Sequence, residues 1–147
     1  RLKSWKLCDY YVKLYGSNEY LKKNPKITDI KDLTNHKFVN YADELIEFPE
    51  LHYLQEINSN PNIVFSSNSL RSQLLAVKNG IGIGLLHSFV AYKEKDLKVI
   101  LPEKINIKRE YWIVVHENNF HLRRIKAVTD FVTLGIIFTY LLILKPF

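Results

Sequence analysis

The 147-residue sequence predicts an α/β fold. Three observations carry the prediction. Short β-branched and aromatic runs recur along the chain, helical stretches with stop signals separate them, and Tyr111 to Val115 is continuously apolar between charged residues. A run of that last kind suits a strand covered on both faces, the signature of a mainly parallel sheet. Hydrophobic residues make up 47% of the chain and aromatics 13%, enough for a core and against disorder.

From the N-terminus, Tyr10 to Tyr15 (YYVKLY) reads as a strand. Gly16-Ser17-Asn18 ends it before a short helical turn bearing Tyr20 and Leu21. Lys22 to Lys26, with Pro25, is a loop. Thr28 is placed to cap a second short turn in which Ile30 and Leu33 face inward and Asn35-His36 closes, so His36 reads as a turn residue rather than a ligand. Phe38 to Tyr41 is a second strand with the polar Asn40 near its end. Pro49 can begin a helix, with Leu51, Leu54 and Ile57 on one stripe and His52 off it.

The stretch from Asn62 to Phe89 organises the rest. Ile63-Val64-Phe65 is a strand broken by Ser66, Ser67, Asn68 and Ser69, whose side chains bond local backbone. From Leu70, apolar residues recur at Leu74 and Val77, while Arg71 and Lys78 fall off that stripe, and Asn79-Gly80 stops the helix. Ile81, Ile83 and Leu85 then alternate with Gly82 and Gly84. One face of that strand is branched and the other nearly bare, which implies a neighbour packed very closely on the bare side.

A helix opening on hydroxyl and amide side chains aims backbone N–H groups at the preceding loop, an arrangement that suits a carboxylate or phosphate. Equally, Ser67, Asn68 or Ser69 simply caps the helix.

Beyond it, His87 to Lys95 reads as a short helix around Phe89, Val90 and Tyr92, and Asp96 opens a strand, Leu97 to Leu101, closed by Pro102. Asn119 caps a helix with Leu122, Ile125, Val128 and Val132 on one side and Arg123, Arg124, Lys126 and Asp130 on the other. Phe131 to Leu144 carries no charge but is shorter than the roughly 20 residues of a spanning helix. A buried strand or helix ranks first there, a misread or truncated end second, and a membrane segment third.

The formal charge of +6 invites a nucleic-acid reading. The basic residues are nevertheless scattered, as Lys22-Lys23, Lys93, Lys95, Lys108-Arg109 and Arg123-Arg124-Lys126, which favours a solvated surface. Cys8, the single cysteine, excludes an internal disulfide framework and leaves no zinc spacing, so the default setting is reducing and cytoplasmic, with Cys8 a buried small hydrophobe. A chain with no methionine that starts at Arg1 reads as a piece of a longer one. No basic segment followed by an apolar core and a small-residue cleavage site is visible before Leu7, and a missing front end could hide one.

The five histidines form no HExxH, and no GxSxG occurs. His116 and His121 flank a turn with Glu117, where structural roles outweigh a metal. Gly80-Ile81-Gly82-Ile83-Gly84 lacks a third glycine at the GxGxxG spacing of a dinucleotide loop and follows a helix instead of opening one. The residues therefore point to a ligand-binding α/β module with no catalytic residue, cofactor or metal.

The string from Ile63 to Leu86 resembles the effector-binding domain of LysR-type transcriptional regulators. Further segments agree in order: Tyr15 to Leu21 with its Tyr20-Leu21 pair, Asp32-Leu33 with His36, Phe38 to Tyr41, Leu97 to Pro102, Tyr111 to His116, and Arg123 to Val132. The resemblance covers Tyr10 to Val132. It implies a type 2 periplasmic-binding-protein-like fold, two α/β subdomains joined by crossover strands at Tyr11–Tyr15 and Lys98–Leu101, one subdomain nearly complete and the other partial. Residues 1–132 form the partial domain, with the second subdomain at about 17–97, a returning strand and helix at about 111–132, and an atypical apolar tail at 133–147.

By the same resemblance the effector binds in an inter-subdomain cleft. Ser66 stands where the family places a hydroxyl on the effector, Asn40 and Tyr41 stand at the matching strand end, and Ser67 and Asn68 add backbone N–H groups. The implied partners are a small-molecule effector such as a carboxylate, further copies of the intact protein, and DNA only through a winged helix-turn-helix absent from this chain. No membrane is expected. His87 replaces the proline usual after the glycine-rich strand, and the tail is not family-like. The alternative is a transport-associated solute receptor of similar fold.

Overall fold

The computed structural model describes residues 1–42 and 53–143, and the side chains of helical residues up to 136. The Phe48-Pro49 helix start, Leu51 and His52 lie outside the described residues. The chain divides into a central unit, Tyr11–Ile107, and a terminal unit made of Arg1–Tyr10 and Lys108–Phe147.

The central unit takes its form from β-strands that leave alternating faces to bury. The inner part of β1 (Leu2–Ser17) runs into α1 (Asn18–Lys23), whose start is capped by the Ser17 hydroxyl accepting from the Tyr20 N–H at 3.2 Å. A 3-10 helix, Ile30–Asn35, follows, then β2 (Lys37–Asn40), β3 (Asn62–Ser66), α2 (Leu70–Lys78), β4 (Ile83–His87), α3 (Ser88–Ala91) and β5 (Leu97–Ile100). Strand order is β3-β2-β4-β1-β5. β2 runs parallel to both β3 and β4, and β1 runs antiparallel to β4 and β5. The sheet is thus mixed rather than mainly parallel, because β1 lies between β4 and β5 and runs opposite to both.

Every residue of β4 is buried, so the strand covered on both faces is Ile83–His87 and not Tyr111–Val115. One side of the sheet packs Tyr15, Val39 and Leu86 against Leu74, Ala76 and Val77 of α2. That packing explains the bare face of the glycine strand. A Cβ on Gly82 would stand 2.5 Å from the Lys37 carbonyl oxygen of β2, and one on Gly84 would stand 2.9 Å from the Val77 methyl. α2 ends as its sequence predicts: Gly80 takes φ 71°, its N–H donates to the Val77 carbonyl and the Ile81 N–H to the Ala76 carbonyl, the paired bonds of a Schellman cap.

Local expectations needed correction at four places in this unit. The 3-10 helix is capped by Asp29, which accepts from the Ile30 N–H at 2.6 Å, while Thr28 donates its N–H and hydroxyl to Asp32. A carboxylate at the cap faces several N–H groups at once and outcompetes a neighbouring hydroxyl. Ile30 is exposed and only Leu33 is buried. Residues 53–57 form turns in place of a helix, although Leu54 is buried as its stripe position predicts. The segment after β4 yields just one helical turn, with Tyr92 exposed.

In the terminal unit β1 pairs with β6 (Asn106–His116), Tyr10 stacks on Tyr111 at 4.4 Å, and Cys8 is half-buried. Lys6 bridges Asp9 and Glu110, and Lys108 reaches Asp9 from the other strand. β6 alternates half-buried and exposed positions, with Trp112 and Val114 more than half exposed. Periodicity alone could not show this, since an apolar run reads alike whether its second face is covered or open.

A 3-10 turn, Glu117–Asn119, leads to α4 (Arg123–Ile143), so Asn119 lies outside that helix. The helix continues through Gly135 into the apolar tail. Its half-buried face is Ile125, Thr129, Val132 and Ile136, with Leu122 half-buried just before its start, whereas Val128, expected inward, is 60% exposed with Phe131 and Leu134 beside it. Among the described residues no helix is long and apolar enough to cross a membrane.

Basic residues are less scattered than their sequence positions imply. The terminal unit has nine against four acids and the central unit twelve against eleven, so the terminal unit holds five of the six net charges.

Candidate functional site

Three parallel strands of the central unit, β3, β2 and β4, end side by side at Ser66, Asn40 and His87. The chain reverses its order about β2, with β3 on one side and β4 on the other. Ligands of open α/β sheets lie outside the carboxyl ends of strands at such a reversal.

Asn40 pairs directly with Ser66 in the β2–β3 register. Asn40 is buried, Ser66 and Asn68 are exposed, and Tyr41 and Ser67 are half-buried. The loop between β3 and α2 is tied down at each residue. The Ser67 N–H donates to the Asn40 carbonyl at 3.1 Å, the Ser69 N–H to the Ser67 hydroxyl at 3.1 Å, and the Ala42 N–H to the Asn68 side-chain oxygen at 3.3 Å. The Ser69 hydroxyl caps α2 by accepting from the Ser72 N–H at 3.3 Å. The capping alternative therefore falls to Ser69. The Ser67 N–H serves the Asn40 carbonyl and is therefore already used within the chain.

Two residues outside the sequence-predicted set also belong to this corner. Gln73, 1% exposed on the inner face of α2, donates from Nε2 to the Ser67 carbonyl at 2.6 Å. A polar residue on an otherwise apolar stripe was the available sign. His87, the residue in place of proline, ends β4 at 4% exposure, with its ring 6.1 Å from Tyr53 and 5.2 Å from Phe89. Tyr53 in turn meets Tyr41 at 6.2 Å, so an aromatic row runs from the end of β2 to the end of β4. Burial pushes the His87 imidazole down to about 4, which keeps it neutral at physiological pH.

No histidine joins a metal cluster among the described residues. His36 is buried against Tyr20 at the end of the 3-10 helix, and the His116 Nδ1 accepts from the Asn118 N–H. A groove of about 820 Å³ lies elsewhere, in the terminal unit between Trp5, Phe120 and the Ile125–Leu134 face of α4, and contains none of the predicted residues.

Comparison with curated proteins finds no match. Among solved structures, the regulatory domain of CrgA, a LysR-type transcriptional regulator from Neisseria meningitidis, is similar with a TM-score of 0.69 and 20% identity, over 91% of this chain and 68% of that one. The AphB regulatory domain of Vibrio vulnificus gives 0.70 and 19%, over 89% and 68%. The CcmR regulatory domain of Synechocystis PCC6803, in complex with 2-PG, gives 0.71 and 12%, over 91% and 66%. These likenesses show the fold, which is of the type 2 periplasmic-binding-protein-like α/β kind. The family described as LysR substrate binding domain matches residues 1–134. Matched over nearly its whole length, the chain belongs to the LysR substrate binding domain family.

Proposed function

We propose that the corner formed by Asn40, Tyr41, Ser66, Ser67 and Asn68 is one wall of the effector site, and that it takes a small anionic effector such as a carboxylate. The observation that supports this most is the common ending of three parallel strands beside the capped start of α2, with Ser66 and Asn68 exposed there. Helix-end N–H groups and neutral donors favour negative charge without a cationic side chain. Ser67 contributes chiefly by shaping the loop, since its N–H and hydroxyl are used within the chain.

In the intact regulator, effector binding shifts an equilibrium between postures of the domain by its differential affinity for them, and so controls an attached DNA-binding domain within an oligomer. A cytoplasmic setting goes with that role. The comparisons lend no support to the solute-receptor alternative.

The test is a titration of the chain with 2-PG and a panel of small carboxylates, followed by amide chemical shifts. The binding ligand moves Ser66, Asn68 and Leu70 first, and Ser66→Ala weakens it about tenfold, the loss of one charge-assisted hydrogen bond. Thermal stability of that variant stays close to the parent, because Ser66 is exposed. Unchanged affinity in Ser66→Ala would remove the assignment.

A further inference from the structure

We infer that Gln73 is a positioning residue for the Ser66–Asn68 loop, holding the effector-facing groups in place from behind; this rests on the effector reading of that loop. Gln73 sits one helical turn into α2, with Leu74, Ala76 and Val77 buried around it. A buried amide needs partners, and an apolar side chain would fill the same volume at no such demand. Here the amide reaches back out of the helix to the Ser67 carbonyl, six residues upstream, at 2.6 Å. The Gln73 backbone N–H donates to the Ser69 carbonyl at 3.0 Å, so one residue grips the loop at two points.

The geometry makes the loop a closed circuit. Ser67 is bonded through its N–H to β2, through its hydroxyl to Ser69 and through its carbonyl to Gln73. Only the last of these bonds comes from a side chain in the core. Ser66 and Asn68 flank Ser67 and are both exposed, so the peptide planes that carry them are set by what holds Ser67. Removing the Gln73 donor frees the Ser67 carbonyl to rotate, and with it the direction of the neighbouring groups.

A merely structural glutamine would behave differently on substitution. Gln73→Leu keeps volume and burial, so α2 stays folded while the Ser67 carbonyl loses its partner. Hydrogen exchange at Ser67 and Ser69, whose N–H groups are bonded within the loop, is expected to accelerate about tenfold, with Val77 and Lys78 unchanged. Gln73→Glu supplies the sharper comparison. Its carboxyl faces a carbonyl oxygen, so the ionised form loosens the loop, whereas the protonated acid, which burial favours, has an O–H to donate and restores protection as pH falls. The leucine variant shows no such recovery.

Equal acceleration across the whole of α2, or unchanged exchange at Ser67 and Ser69, would overturn the inference whatever any ligand does. Titration with the ligand found for the parent chain separates the two readings. Parallel weakening in Gln73→Leu and Ser66→Ala supports both, weakening in Ser66→Ala alone refutes the positioning role, and no weakening in Ser66→Ala refutes the effector reading while the exchange result still judges the loop.

Discussion

Gly82→Ala is expected to cost the central unit about 3 kcal/mol, the upper end of what overpacking usually costs, read as a fall in the denaturant midpoint at constant slope. The new methyl would lie 2.5 Å from the Lys37 carbonyl oxygen and 2.9 Å from its carbon. Both are backbone atoms of β2, so no rotamer change relieves the contact. Relief requires β2 and β4 to separate where Phe38 pairs with Ile83. Two other glycines calibrate the result. At Gly84 the nearest atom is a Val77 methyl at 2.9 Å and the nearest backbone atom, the Val39 carbonyl oxygen, stands at 3.2 Å, so Gly84→Ala should cost less than Gly82→Ala. At Gly135 nothing lies within 4 Å, and Gly135→Ala in mid-helix should stabilise by about 0.5–1 kcal/mol. Equal effects at Gly82 and Gly135 would contradict the close-approach account.

Stability should also fall as pH drops from about 6.5 toward 4, by about 3 kcal/mol in total from His87 alone. An unfolded imidazole titrates near 6.5, whereas burial holds the folded one at about 4. Above the unfolded value both states are neutral and the full stability is present. Between the two values the unfolded chain binds a proton that the folded chain does not, so protons favour unfolding. Below about 4 the folded ring is protonated too and the loss levels off. His36 is likewise pushed down by burial and adds a slope of the same sign. His87→Leu should therefore flatten most of the pH dependence of the unfolding free energy between pH 7 and 4.5, leaving the share due to His36. A parent-like slope in that variant would show that another group governs acid unfolding.

Much of the central unit was legible because its signals are local. Asn79-Gly80 ends α2 through bonds confined to six residues, and the glycine alternation announces a close neighbour, though not that the neighbour is the Lys37 carbonyl. Positions decided by distant chain were not legible. Val128 is exposed while Ile125, Thr129 and Val132 are half-buried, and which side of an apolar stripe α4 turns inward is set by what it packs on. The second face of β6 stays open although its residues read as core. At the candidate site, the Ser66 to Ser69 run was visible as a helix start, but its division of labour was not. Which hydroxyl caps and which N–H turns to β2 depends on Asn40 and Gln73. The row from Tyr41 through Tyr53 to His87 joins residues far apart in sequence, and no spacing rule connects them.

The order in which the chain can fold follows from the way one unit interrupts the other. The two pieces of the terminal unit are separated by the whole of Tyr11–Ile107. Joining them across an unfolded stretch of about 100 residues would carry a loop-closure cost of about 4 kcal/mol. Once the central unit has formed, β1 and β5 are already paired at Leu14 to Ser17, and that closure has been made in advance. The central unit is therefore expected to gain amide protection first in pulse-labelled refolding, with β6 and the start of β1 later. A slow final phase confined to those two strands would mark the terminal unit as the last-formed and first-lost part of the molecule.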